Sequence, residues 1–376
     1  MRSPPTFDPR ETRAAVGKGL WSVAATVAAL GLGLLAASQH PAAATALRDL
    51  VDRASPGHLL LATALMSVAF IIMGLRWRSL MPPPPPGAAL PGPGGLTLII
   101  LAGLMLNYAV PGPFGELAAA WFAHRRYGLS LADATASGIG ARLIGLASAS
   151  LLAAIIPLLS PLPLPPSLAQ GVLVGAGGVG LAGLMLLVFA ARPDPLLRLA
   201  RACARPFVGL PLIGRLAARA LAAGEALAEA ARRIATRGPR ALLPALGWST
   251  LGHLTVISGI AVAVEGLGAD WSLAGVAFTY AITTAGAVLL FALPGSQFGW
   301  DLLFATLLST AAGLTWVDAV ATASLVRGQQ LLFMLAGAGA TAVLLRSALQ
   351  AGLQPPPPPT AAGVPPEGTQ AGPPAI

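Results

Sequence analysis

The chain has 376 residues, of which 55% are hydrophobic and only 10% charged. A soluble domain carries about 25% charged residues, so this composition excludes a globular protein wetted on every face. The net charge of +9 is nearly all arginine, with Lys18 the only lysine. These arginines lie between apolar stretches, which points to the positive-inside bias of cytoplasmic loops rather than to nucleic acid. The lone Cys203 and the scattered His40, His58, His124 and His253 supply neither a disulfide nor a metal-ligand spacing, so no cofactor or metal is expected.

Residues 1–18 form a basic N-terminus, read as cytoplasmic. Gly19–Ser38 is uncharged and longer than the 7–15 apolar residues of a cleavable leader. It is therefore read as an uncleaved first span, although the small residues Ala36–Ser38 leave cleavage open. Further spans are predicted at Gly57–Leu75, Leu96–Val110, Ala134–Leu159, Leu168–Ala191, Ala241–Val264, Ser272–Leu293 and Val317–Leu345, from the ~20 apolar residues that a bilayer crossing needs. The fold class is an all-α polytopic membrane protein with about eight transmembrane helices plus proline-broken re-entrant segments. The membrane domain covers 19–345. The Pro-rich tail over 346–376 lacks an apolar period and is expected to be disordered.

Arg192–Arg240 holds ten arginines, and Leu212, Leu216, Leu221 and Leu227 recur at helical spacing. This reads as amphipathic helix on the cytoplasmic surface, or as a solvated basic loop; both mark the inside. Arg76 and Arg78, after the second span, should be inside too. Keeping all three basic regions inside requires an even number of crossings between Leu96 and Arg126. Two apolar pieces, Leu96–Val110 and Leu117–Phe122, flank the break at Pro111–Gly115. They are two crossings or one re-entrant hairpin. At 1.5 Å per residue both are short for a ~30 Å core, which favours the hairpin and returns His124–Arg126 to the inside.

The pattern then recurs. Gly128–Ala134 leading to Arg142 matches Gly313–Ala319 leading to Arg327, without a gap. Upstream, Val110–Glu116 resembles Leu293–Asp301, with residues inserted. If the second proline break is also a hairpin, three crossings separate Asp133 from Asp318. They then lie on opposite sides, as in inverted-topology transporters with sites near the midplane.

Arg142 and Arg327 each follow a helix-entrance aspartate by nine residues, or ~13.5 Å of rise. That predicts a position near the bilayer centre, where a charge costs at least ~2.5–3.5 kcal/mol and calls for a partner. The functional reading is a pair of guanidinium forks for a phosphate. The structural reading is ion pairs with Glu116 and Asp301, and the two readings are compatible. Asn107, Gly112, Gly115, Gly295 and Gly299 join the candidate substrate site. Unwound backbone at membrane depth lines cavities, and free N–H groups at the helix start near Glu116 favour an anion. Asp133 and Asp318 are read as capping residues paired with Ser130 and Thr315. Asn107, Tyr108 and His253 are read as interhelical hydrogen-bonding groups, with His253 also weighed as a proton relay. No phosphate loop or hydrolase motif is present.

Taken together, Arg76-Trp77 ending a span, Asn107…Pro111-Gly112…Gly115-Glu116, Gly128…Ala134…Arg142, Leu293-Pro294-Gly295…Gly299 and Gly313…Arg327 resemble the lysylphosphatidylglycerol synthase transmembrane-region family. The resemblance spans roughly Gly19 to Leu345. It implies a flippase-like membrane module. The soluble aminoacyl-transferring domain of the large family members is not in this sequence, so transferase activity is not expected. Phe114 and Pro113 depart from the family's pattern, as does the lack of arginine over Ala118–Ala120. The implied function is binding and flipping of an anionic phospholipid, polyprenyl-phosphate-linked or hopanoid-type lipid in a bacterial inner membrane. The rival is a non-catalytic partner that presents a lipid to a membrane-associated transferase, docked on 192–240.

Overall fold

A computed structural model describes residues 41–83, 90–109, 114–204, 231–236, 238–290 and 296–353, with single positions between 17 and 28 and between 218 and 229. The described residues are helical, without strands. In chain order they form α1 (Pro41–Arg53), α2 (Pro56–Ser79), α3 (Pro93–Ala109), α4 (Phe114–Tyr127), α5 (Leu131–Leu159) and α6 (Pro166–Ala191). These are followed by α7 (Pro193–Ala204), α8 (Pro239–Gly266), α9 (Leu273–Leu290), α10 (Ser296–Ala311) and α11 (Trp316–Leu353). The first span at Gly19–Ser38, the glycines Gly112 and Gly295, and the tail beyond 353 lie outside the described residues.

Five helices are long and apolar enough to cross a bilayer: α2, α5, α6, α8 and α11. The chain is thus a multi-pass membrane protein. The other two predicted spans within the described residues belong to the shorter helices α3 and α9, with apolar stretches at Pro93–Asn107 and Leu273–Gly286. Each is one arm of a hairpin. At the base of the first hairpin, Gly95 of α3 faces the Tyr127 hydroxyl of α4. Further in, a Cβ on Gly103 would sit 2.9 Å from the Gly115 carbonyl oxygen, so only glycine lets these arms touch. At the base of the second, Ser272 N–H donates to the Ala312 carbonyl at 2.9 Å, and Gly275 abuts the Ala311 backbone.

The two hairpins start from opposite ends of α2. The first belongs to the Ser79 end, where a Cβ on Gly74 would meet the Pro93 carbonyl at 3.2 Å. The second belongs to the Pro56 end, where α8 closes against Ser55 by a 2.7 Å bond from Ser55 N–H to Gly266 O and α9 follows. Each hairpin is continued by a long helix that packs along the other hairpin's first arm: α5 along α9, and α11 along α3. Two cores result. One, around Trp77, Leu96, Phe122, Ile144 and Leu344, surrounds the first hairpin. The other, around Met66, Ile260, Val276, Phe304 and Leu308, surrounds the second.

The entrances to α5 and α11 are capped alike. Asp133 N–H donates to Ser130 Oγ at 3.0 Å, and the Ser130 hydroxyl donates to Asp133 Oδ2 at 2.7 Å. Asp318 N–H donates to Thr315 Oγ1 at 3.3 Å, and the Thr315 hydroxyl donates to Asp318 Oδ2 at 2.6 Å. The preceding Gly128 and Gly313 have φ of 67° and 81°, a left-handed conformation that suits glycine. Asp318 also forms an ion pair with Arg53 at the end of α1. Asp133 faces Arg233 at 3.7 Å, and Ile234 is buried in the core beside it. Asp133 therefore lies at the Ser79 end of α2 and Asp318 at its Pro56 end.

Candidate functional site

Each hairpin's second arm carries an acid, and the long helix that follows carries the arginine. Glu116 of α4 pairs with Arg142 of α5. Asp301 of α10 pairs with Arg327 of α11 at 2.6 Å. In both pairs the arginine follows its acid by 26 positions. The pairing satisfies the demand that a charge in the membrane has a partner.

The two pairs differ in enclosure. Arg327 has 5% of its side chain accessible. Its Nε donates to both Asp301 oxygens at 3.1 and 3.0 Å, and its Nη1 donates to Gln330 Oε1 at 2.8 Å. The guanidinium also lies 5.5 Å from the Trp300 ring centroid, a cation–π distance. Arg142 has 43% of its side chain accessible, and Glu116 19%. Glu116 Oε1 takes a second bond from Asn107 Nδ2 at 3.0 Å, while Oε2 is buried with no hydrogen-bond partner.

In depth along α2 the pairs are alike. Trp77, in the last turn of α2, donates from Nε1 to Ser137 at 3.0 Å. Arg142 is five residues beyond Ser137, only ~7.5 Å further along α5. Both long helices start beyond the ends of α2: the first turns of α5 pack against residues 231–236, and the entrance of α11 lies beside Arg53. Arg327 follows Asp318 by nine residues, and Asp318 is level with Arg53 at the other end of α2. The ~13.5 Å rise takes Arg327 to a comparable depth from that end, two residues short of Gln329, which donates to Thr63 of α2 at 2.9 Å.

Among the other candidates, Asn107 is drawn to the first pair. Gly115 packs against Gly103, and its N–H donates to Asn107 Oδ1 at 2.7 Å, so that donor is already taken rather than free for an anion. Gly299 is exposed, with nothing within 4 Å of an added Cβ. The Tyr108 side chain lies outside the described residues. His253 is held at both ring nitrogens. Nε2 meets the Gly145 carbonyl at 2.9 Å and Nδ1 meets the Tyr280 hydroxyl at 3.0 Å. A carbonyl only accepts, so Nε2 carries the proton and Nδ1 accepts from Tyr280.

A model of the lysylphosphatidylglycerol synthase transmembrane region matches residues 20–338. The chain belongs to that family. The match takes in both hairpins, both acid–arginine pairs and the helices between them. No curated protein and no solved structure matches the chain.

Sequence reasoning missed three features. Arg76 was placed outside the membrane as a flanking charge, yet its guanidinium enters the bundle, with Nη1 3.3 Å from Ser249 Oγ. Tyr280 was not singled out; as a polar residue midway along an apolar arm it carried a signal. The Arg53–Asp318 tie depends on α1, a short helix just before the span α2.

Proposed function

We propose that this chain binds an anionic lipid or lipid-linked intermediate and carries its headgroup across a bacterial inner membrane, with the N-terminus in the cytoplasm and without covalent chemistry of its own. The observation that carries this reading is the pair of oppositely entering hairpins, each with an acid–arginine pair, one accessible and one enclosed. A lipid phosphate competes with the carboxylate for the guanidinium fork, since each offers two oxygens that accept from its planar donors. Glu116 and Asp301 hold the arginines while no headgroup is present. Capture at Arg142 releases Glu116, and exchange toward Arg327 requires the second hairpin to open. Candidate cargoes are an anionic phospholipid, a polyprenyl-phosphate-linked molecule or a hopanoid-type lipid.

The test is reconstitution in liposomes with a fluorescent phosphatidylglycerol analogue and a membrane-impermeant quencher. Wild type is expected to expose the inner-leaflet probe to quenching, and Arg142→Gln and Arg327→Gln to lose that activity while folded. Equal quenching by empty liposomes and wild type would contradict the reading.

A second reading is favoured by one observation. The basic segment is tied together and to the base of the first unit by Arg201–Glu225 at 2.8 Å, Arg232–Asp194 at 2.8 Å and Arg233–Asp133 at 3.7 Å. Such a folded cationic surface suits docking of a membrane-associated transferase to which the lipid is handed. Deleting the segment then stops pathway output and leaves lipid binding unchanged.

A further inference from the structure

Arg76 lies in the last turn of α2, three residues from its end. Arginines there ordinarily extend outward so that the guanidinium reaches water. Side chains on a helix lean toward its N-terminus, and Arg76 follows that direction into the bundle. Its Nη1 reaches Ser249 of α8 at 3.3 Å. On α5, a Cβ added at Gly145 would stand 2.5 Å from the same Nη1. Glycine at 145 therefore makes room for the guanidinium. The Gly145 carbonyl is turned to His253, which holds Tyr280 in turn, so a polar layer surrounds the cation.

Among the described residues, no carboxylate enters this layer. Helices α2, α3 and α9 contain no Asp or Glu; α5 has only Asp133 and α8 only Glu265. Asp133 is engaged with Ser130 and Arg233, and Glu265 accepts from Trp271 Nε1 at 2.9 Å. Among the described residues Arg76 makes no ion pair. Of its five N–H donors one is bonded, to Ser249, and Nε is buried with no partner. Arg142 and Arg327 each have an acid; Arg76 is half-buried and, among the described residues, has none. A desolvated guanidinium without an anion is costly, and its unused fork matches a phosphate.

We propose that Arg76, seated between Ser249 and Gly145, binds the phosphate group of the transported molecule. The inference rests on the lipid-carrying reading and deepens it: phosphate docks first on the arginine that lacks a carboxylate, and the two paired arginines act afterwards.

The experiment is native mass spectrometry of the full chain in detergent. Dioleoylphosphatidylglycerol, dioleoylglycerol and inorganic phosphate are added separately. Wild type should retain phosphatidylglycerol over dioleoylglycerol. Arg76→Gln should weaken phosphatidylglycerol retention between about 10- and 100-fold, as for loss of charge-assisted bonds, and leave dioleoylglycerol unchanged. Gly145→Ala keeps the arginine but displaces it, so it should also weaken phosphatidylglycerol retention. It decides the matter where Arg76→Gln does not fold. Lipid retention that survives millimolar phosphate assigns a lipid headgroup, and phosphate retention without lipid assigns a soluble phosphate ester; both must depend on Arg76. Wild-type phosphatidylglycerol retention in folded Gly145→Ala and Arg76→Gln overturns the proposal. Flipping absent in wild type, with Arg76-dependent retention intact, sinks the transport reading alone. Flipping intact in Arg76→Gln sinks the Arg76 inference alone.

Discussion

In the first hairpin unit, Arg142 meets Glu116 with 43% of its side chain accessible, and its neighbour Asn107 shares the carboxylate. In the second, Arg327 keeps 5% accessibility and is bound by Asp301, Gln330 and the Trp300 face. The acid, the arginine and their spacing are repeated, while the enclosure is not. The difference teaches that the sequence repeat sets which groups meet, and that the surrounding packing sets how firmly they are held. The proposed carrier function would need both states, and here they coexist in one conformation.

The largest expected effect comes from breaking the enclosed pair. Asp301→Asn leaves Arg327 buried without its counter-charge, which costs about 3–5 kcal/mol where one partner of a buried pair is removed. Thermal unfolding in detergent should show a large loss, and Asp301→Asn/Arg327→Gln should recover much of it. An unchanged transition in the single variant would show that Asp301 does not compensate the arginine.

Glu116→Gln should cost less, about 1.5–3 kcal/mol as for loss of a charge-assisted bond, because Arg142 keeps 43% of its side chain accessible. The same unfolding assay checks this. A loss equal to that of Asp301→Asn would remove the distinction between the two units.

Part of this architecture is legible in the sequence for identifiable reasons. The Gly-Leu-[Ser/Thr]-x-x-Asp entries show because left-handed glycines and capping hydroxyls admit few residue types. The acid–arginine pairs show because membrane charge needs a partner. The hairpin over α3 and α4 shows because its arms are too short to cross. Arg76 was hidden because the positive-inside rule places any arginine at the end of a span in water, whereas its direction depends on Gly145 and Ser249, far off in sequence. The close approach of Gly103 to Gly115 is a tertiary event that no periodicity encodes.

The smallest effect belongs to the caps. Ser130→Ala and Thr315→Ala should each cost about 1 kcal/mol. Thr315→Ala should be the larger of the two, because it also frees Asp318, which holds Arg53. Denaturant midpoints would order them, and equal values would show that the Arg53 tie adds nothing.

The central claim is that the two units enter the bilayer from opposite sides. It is tested most directly by single cysteines at Ala132 and Val317, each beside an entrance aspartate, in a Cys203→Ser background. A membrane-impermeant thiol reagent applied to sealed vesicles of known orientation should label one position from outside and the other only from inside. Labelling of both from the same side would contradict the account.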